Sequence, residues 1–508
     1  MRKNRTATKT TLAFSLGLGL LLLAGCAVKG PDFSKPDDQA SVTWKNSATS
    51  TNPLADPDPN WWHGFNDNLL DSLEQRAVAG NLDLQVALLR IAASRSQEQI
   101  ARAQGLPNLK AAASYEREQL GLAGVLKSAG PLPASIQNNP TASAIESQLT
   151  SPINLYTVAL DASWELDLFG KVTRAVEAAA AQSRASQEAR NGALIALQAE
   201  VAQSYAQLRA AQTLRSLTAK QLDEEQQILA LTKNLQQNGL GDQLDVESIS
   251  GQTAQNQALL PQYEIQIAKA SNALAVLLGL NPGALNAELA TEGDILALPL
   301  PLADNIAIGM PASLARRRPD IREAEENLHA ATAETGVAIA SLYPDLSLSA
   351  QYGLRNTTTK YLFDWASRFY SVGPSISLPI FQGGSLTANV HLAKSEQAAA
   401  AITYRQTVLN ALQEVENALV SFQQDQLRAQ SLKTASLANN RALALSRDAY
   451  QHGLVSFITV LNSEHQAAQA QTDWTTAQVT QSTDLITLYK ALGGGWELNP
   501  PIIAVDNN

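Results

Sequence analysis

The chain has 508 residues, with 37 Lys and Arg against 47 Asp and Glu, a formal charge of −10. Four of the bases (Arg2, Lys3, Arg5, Lys9) and no acid lie in the first 25 residues, so without that segment 33 bases face 47 acids and the charge is −14. Phosphate neutralisation needs a basic face, so the balance speaks against a nucleic-acid partner; one cysteine excludes an intrachain disulfide or a multi-thiolate metal site; and five scattered histidines lack HExxH or HxH spacing, against a metalloenzyme.

Residues 1–25 read as a signal peptide: a basic start, then an apolar run from Leu12 to Leu23. At about 12 residues the run is too short to span a bilayer core of about 30 Å. It ends Leu23-Ala24-Gly25-Cys26, which resembles the bacterial lipobox, where the cysteine is lipidated and becomes the first mature residue. Ala27, rather than Asp, resembles lipoproteins sent on to the outer membrane. A covalent lipid on Cys26 is the only prosthetic group expected, since several acyl chains together anchor stably.

The rest of the chain is duplicated. Asn238-Gly239-Leu240 aligns with His452-Gly453-Leu454 at an offset of 214, as do Glu200-Val201 with Glu414-Val415 and Leu278-Gly279 with Leu492-Gly493. At an offset of 237, Asp83, Pro107, Leu109 and Tyr115 align with Asp320, Pro344, Leu346 and Tyr352, and Leu168-Phe169 aligns with Ile380-Phe381 at 212. The anchors are Pro, Gly, Tyr and Asp rather than the abundant Ala and Gln, so the match is a true repeat. It divides the chain into an N-terminal anchor and equatorial segment (26–80), a first repeat (81–280), a linker (281–318), a second repeat (319–493) and a tail (494–508).

Each repeat opens with a helix, 81–105 and 320–342, stopped by Pro107 or Pro344. Two strands follow in each. Leu109, Ala111, Ala113 and Tyr115 alternate with Lys110, Ala112, Ser114 and Glu116, and Val158, Leu160, Ala162, Trp164 and Leu166 alternate with Thr157, Asp161, Ser163 and Glu165. The second repeat alternates likewise through Leu346, Leu348, Ala350 and Tyr352, then Val372, Ile376 and Leu378. Period two held over about ten residues is the pattern of a transmembrane β-strand.

Very long helices come next, 171–238 and 385–452, each reversing at a glycine into a return helix of some 35 residues. At 1.5 Å per residue the long ones reach about 100 Å. Val408, Leu412, Val415, Leu419 and Phe422 step by 4, 3, 4, 3, the coiled-coil period. Pro261 is expected to kink the first return helix. Arg316-Arg317-Arg318 reads as a solvated helix start beside Asp320 and Glu323, and Trp61-Trp62 as packing for the N-terminal segment. Carboxylate pairs such as Glu224-Glu225 lie on helical stretches without a base, a nucleophile or a Gly-rich loop, so there is no catalytic constellation and the chain reads as a non-enzyme.

Four strands cannot close a membrane barrel, because single-chain barrels start at eight, and an open edge in lipid leaves backbone groups unpaired. The chain must oligomerise, and two, three or four copies are all compatible with the pattern. Trp61-Trp62 with Phe65, Trp164-Glu165-Leu166-Asp167-Leu168-Phe169-Gly170-Lys171-Val172, Arg317-Arg318-Pro319-Asp320-Ile321-Arg322, Tyr343-Pro344 and the turns Gly239-Leu240 and Gly453-Leu454 resemble the outer membrane factors, the TolC-type family, and within it the NodT-type efflux lipoproteins.

The resemblance implies an α+β membrane protein: a homotrimer with a twelve-stranded outer-membrane β-barrel and a periplasmic α-helical barrel. It would be the passive exit duct of a tripartite efflux system, lipid-anchored in the outer membrane, with a periplasmic adaptor (membrane fusion) protein and an inner-membrane proton-driven pump as partners. Type I protein secretion and a poreless lipid-anchored scaffold are the alternatives. Gly239, Leu240, Gly453 and Leu454 would form the adaptor-contacting tips. In similar family members an aromatic residue before the turn and charged residues beyond it close the pore; the matching positions are Tyr450, Asn462 and His465, with Asp245 on the neighbouring hairpin. The family often has Asp and Arg where Asn462 and His465 stand, so hydrogen bonding by Asn462 and a pH-sensitive His465 near Asp245 would replace a carboxylate–guanidinium ring.

Overall fold

The computed structural model describes residues 28–36, 44–46, 51–52, 58–119, 128, 141, 151–296, 306–311 and 314–496. Cys26 lies outside them. Each repeat yields the same series of elements. After a short 3-10 turn at Trp61–Phe65 and helix α1 (Asn68–Gly80), the first repeat gives α2 (Leu82–Gln104), β1 (Asn108–Glu118), β2 (Ile153–Leu166), α3 (Lys171–Gln237) and α4 (Gln243–Leu277). The second gives α5 (Pro319–Ala340), β3 (Asp345–Asn356), β4 (Arg368–Ser377), α6 (Ser385–Gln451) and α7 (Phe457–Leu492). Both α3 and α6 have 67 residues. Helix α4 continues on both sides of Pro261, which is exposed, so the carbonyl it leaves unbonded is near solvent.

The chain forms two compact units. The first comprises Met1–Phe33, Arg95–Ala180 and His329–Ala398 and contains the sheet. Its four strands lie in chain order, β1-β2-β3-β4, all antiparallel. Described residues 28–33 are strapped onto this unit. Lys29 N donates to Phe169 O at 3.0 Å, Phe33 stacks on His329 with centroids 4.3 Å apart, and His329 Nε2 lies 2.9 Å from Glu177 Oε1.

The second unit comprises Ser34–Ser94, Ala181–Leu328 and Ala399–Asn508. Its core joins Trp61, Trp62 and Phe65 to Leu194, Tyr205, Leu208, Leu274, Leu419, Phe422 and Leu485. Trp61 stacks on Tyr489 at 5.4 Å, so the tryptophan pair packs the N-terminal segment as its sequence suggests. Val415, Leu419 and Phe422 of the heptad run are buried to 2% exposure or less.

Arg318 is not part of a solvated helix start: it is buried. Its Nε and Nη2 donate to the two carboxylate oxygens of Asp320 at 3.0 and 2.8 Å, Nη2 also donates to Glu414 at 2.7 Å, and Nη1 donates to Ala491 O at 2.7 Å. The fork geometry of guanidinium satisfies two carboxylates and a helix-end carbonyl at once, which lysine does not do.

Candidate functional site

The sheet has two chemically distinct faces, and the register shows them continuous across all four strands. Leu109, Ala111, Ala113 and Tyr115 pair with Ala162, Leu160, Val158 and Tyr156. The row continues through Ala350, Tyr352, Leu354 and Asn356 of β3, then Val372, Tyr370 and Arg368 of β4. On the opposite face Lys110, Asp161, Gln351 and Ser371 form one row. Gln351 Nε2 donates to Asp161 at 2.6 Å, and Arg355 Nε donates to Thr157 Oγ1 at 3.2 Å. The apolar row is exposed rather than covered by another layer, with Leu109 69%, Tyr370 77% and Ile376 71% accessible. A soluble sheet of this kind would bury that face; a lipid-facing one leaves it bare.

The two helical reversals are built alike. In the first, Gly239 N bonds Gln236 O at 3.0 Å and Leu240 N bonds Leu235 O at 2.9 Å; in the second, Gly453 N bonds Tyr450 O and Leu454 N bonds Ala449 O, both at 2.9 Å. These are Schellman closures, with glycine in the left-handed region at φ 72 and 71. Such closures often fold the following apolar side chain back onto the helix. Here Leu240 and Leu454 are each 77% exposed, so neither packs within its hairpin. Asp242 caps α4 by accepting from Leu244 N at 3.2 Å.

The four residues assigned to a constriction are not joined to one another within the chain. Tyr450 is half-buried against Phe457 of its own hairpin, ring centroids 5.5 Å apart. Asp245 is half-buried in the first turn of α4; Asn462 and His465, one turn apart on α7, are exposed. Among the described residues no side-chain hydrogen bond or ion pair links these four.

A polar junction that the sequence reading passed over lies in the same hairpins, 14 residues before Gly239 and 11 after Gly453. Glu225 of α3 accepts from Asn256 of α4 at 2.6 Å. Arg447 of α6 donates to Glu224 of α3 at 2.7 Å and to Glu464 of α7 at 3.3 Å. Glu225 and Glu464 are 1% and 5% exposed, and the second carboxylate oxygen of each has no hydrogen-bond partner among the described residues. Burial, with the Glu464 charge nearby and only partly offset by the Asn256 bond, pushes the Glu225 carboxyl up to about 7. Burial raises Glu464 as well, against the pull of Arg447. Only the pair Glu224-Glu225 signalled this site in sequence, and its partners are 31 to 240 positions away.

Residues 73–280 and 310–494 match the family of outer membrane efflux proteins. The chain belongs to that family. The probable efflux pump outer membrane protein TtgC of Pseudomonas putida strain KT2440 is 32% identical over 495 residues, covering 96% of each chain. Nodulation protein T of Rhizobium leguminosarum bv. viciae is 31% identical over 485 residues, covering 94% of this chain and 92% of its own. The solved outer-membrane channel OprN superposes with a TM-score of 0.81 at 32% identity, over 92% of this chain and 99% of that one. An outer membrane efflux protein works at the outer membrane and extends into the periplasm, and this one presents the family's fold, a few membrane strands on a helical majority.

Proposed function

We propose that three copies of this chain form the passive exit duct of a tripartite efflux system, carrying small molecules from an inner-membrane proton-driven pump and a periplasmic adaptor to the exterior. The observation that carries this reading is the four-stranded sheet, apolar on one face, polar on the other and unpaired among the described residues along the outer edges of β1 and β4. Each unpaired backbone group in lipid costs several kcal/mol, so the edges must close against further strands. Two copies would give an eight-stranded barrel whose own side chains fill it; three give twelve strands and an open lumen. Purified protein is expected to run as a heat-modifiable trimer and to conduct ions in planar bilayers. A monomer or a non-conducting assembly overturns the reading. A deletion strain that gains sensitivity to small toxic compounds supports efflux; loss of a secreted protein with unchanged sensitivity assigns the duct to type I secretion.

Within this reading, exposed Leu240 and Leu454 are the knobs that enter the adaptor, and Tyr450, Asn462, His465 and Asp245 constrict the periplasmic end where three copies converge. Tyr450→Ala with Asp245→Ala then raises single-channel conductance and antibiotic sensitivity; wild-type conductance in a trimeric double variant removes them from the constriction. Cys26 carries the lipid, and Cys26→Ser stops palmitate incorporation and leaves the precursor uncut; normal labelling of that variant refutes the assignment.

A further inference from the structure

The lipid-facing face of the sheet is charged at one end only. It takes the odd-numbered residues of β1 and the even-numbered residues of β2, β3 and β4, and among them stand no acid and two cations, Arg117 and Arg368. The carboxylates of the strands, Glu116, Glu118, Asp161, Glu165 and Asp345, all lie on the polar face. Arg117 is the penultimate residue of β1 and Arg368 the first of β4, so both sit at the end where β1 leads to β2 and β3 leads to β4. The other end adjoins the helices, which extend into the periplasm, and the charged end therefore faces the exterior.

Arg117 stands at headgroup depth. Leu166 ends β2 beside Asp167, which caps α3 by accepting from Val172 N and Thr173 N at 3.1 and 2.7 Å. Ten residues separate Leu166 from Tyr156. At about 3.4 Å per residue and a tilt of about 40°, they rise about 26 Å, the full apolar band of an outer-membrane barrel. Tyr156 packs on Tyr115 with centroids 4.9 Å apart, and Arg117 is the next lipid-facing residue beyond that pair. It is exposed, and its guanidinium has no partner among the described residues.

The connection between β3 and β4 holds further cations and aromatic rings outward. Ser367 Oγ accepts from Asn356 Nδ2 and donates to Tyr361 O, both at 2.7 Å, and Leu362 is buried, while Phe363 and Trp365 are left 75% and 69% exposed. Arg368 lies over the Trp365 ring, Cζ 4.4 Å from its centroid, with Nη1 donating to Trp365 O at 3.0 Å. Lys360 Nζ lies 5.0 Å over the Tyr361 ring. A guanidinium stacked by its face keeps its edge N–H groups for an anion. Asp364, the acid of this connection, forms no ion pair with either cation among the described residues.

We propose that this rim binds the phosphate groups of an anionic lipid in the outer leaflet. Arg117, Lys360 and Arg368 take the phosphates, and Phe363, Trp365 and the Tyr115–Tyr156 pair lie along the upper acyl chains. Charge complementarity carries the assignment: exposed cations of one sign stand at the depth of lipid phosphates, above a face that is otherwise neutral. Cations that merely escape hydrocarbon serve equally at either interface; the helix end of this face, at Leu109, Leu166, Leu346 and Ile376, has none. The inference rests on the membrane placement of the sheet and not on what the duct carries.

Full-length protein in zwitterionic detergent is titrated with lipid A, a bisphosphorylated glycolipid, and with its dephosphorylated form, and bound lipid is counted by native mass spectrometry. Lipid A is expected to bind at least tenfold more tightly. Arg117→Gln and Arg368→Gln should each weaken its binding about fivefold, and the triple variant with Lys360→Gln about a hundredfold, leaving the dephosphorylated lipid unaffected. Arg355→Gln, at the same end but on the polar face against Thr157, should bind as wild type. Equal affinity of the unaltered protein for the two lipids, unchanged affinity in the triple variant, or an equal loss in Arg355→Gln overturns the phosphate site while leaving the lipid-facing sheet standing. Binding of neither lipid overturns the site as well, and failure to enter lipid nanodiscs besides overturns the membrane placement. The comparison of the two lipids needs no substitution, so it stands whether or not the triple variant assembles.

Discussion

Glu225 offers a measurable link between burial and pH. It is 1% exposed, one of its oxygens has no partner among the described residues, and its carboxyl is pushed from an ordinary 4.5 to about 7, burial being the largest cause. An acid whose folded pKa exceeds its unfolded value holds a proton in the folded state that the unfolded chain has released. Its contribution is therefore lost as pH rises from about 4.5 to about 7 and changes no further above that. At about 1.4 kcal/mol per pH unit, the loss is about 3 kcal/mol.

Glu225→Gln keeps the shape and the acceptor for Asn256 while removing the titration. At pH 4.5 the variant should match the wild type within about 1 kcal/mol, since a protonated carboxyl and a carboxamide place similar groups there. At pH 8 it should be more stable by about 2 to 3 kcal/mol. Denaturant unfolding of the detergent-solubilised protein at both pH values reads the difference, and subtraction from wild type cancels the titrating groups that do not interact with Glu225, leaving Glu225 together with its neighbour Glu464. A variant that is less stable than wild type at pH 8, or that keeps the wild-type pH slope, refutes the reasoning.

Other consequences are equally direct. Gly239→Ala and Gly453→Ala meet no atom within 4 Å of the new methyl group, so the cost is backbone strain alone at positive φ, about 1 to 2 kcal/mol each by thermal unfolding; Asn at either site should cost less. Arg318→Met strands Asp320, Glu414 and the Ala491 carbonyl around a buried site. With Asp320 and Glu414 about half exposed and open to water, the main loss is the buried guanidinium's bond to the Ala491 carbonyl, so it should cost about 1 to 3 kcal/mol and cut trimer yield. Leu240→Asp and Leu454→Asp touch no core, so stability should stay within about 0.5 kcal/mol while drug resistance falls; retained resistance argues against the tips as contacts.

Element identity was legible because it is governed by local rules. Alternation at 109–115 and 158–166 specifies a strand with two unlike faces, and the absence of Pro between 385 and 492, with Gly453 the only Gly, specifies two helices and the point where they reverse. The duplication was legible because rare residues at constant offsets survive in the linear text. Even the bare state of Leu240 and Leu454 was foreseeable, since a turn between two long helices has no core beneath it.

The order of the strands was not contained in those patterns, because alternation sets a face and not a neighbour. Only the fold brings β2 beside β3 across a gap of 178 residues between Leu166 and Asp345, and so displays a junction between repeats. The setting of the charged residues is hidden from the sequence for the same reason. Arg318 looks solvated beside Arg316 and Arg317, and becomes a buried hub only when Glu414 and Ala491, 96 and 173 positions away, close over it. Glu225 reads as one of two helical acids until α4 and α7 bury it with Asn256 and Glu464. Periodicity reports which side of an element is apolar, a property of the chain; desolvation and charge pairing depend on what lies across the gap, and that is decided only when distant helices meet.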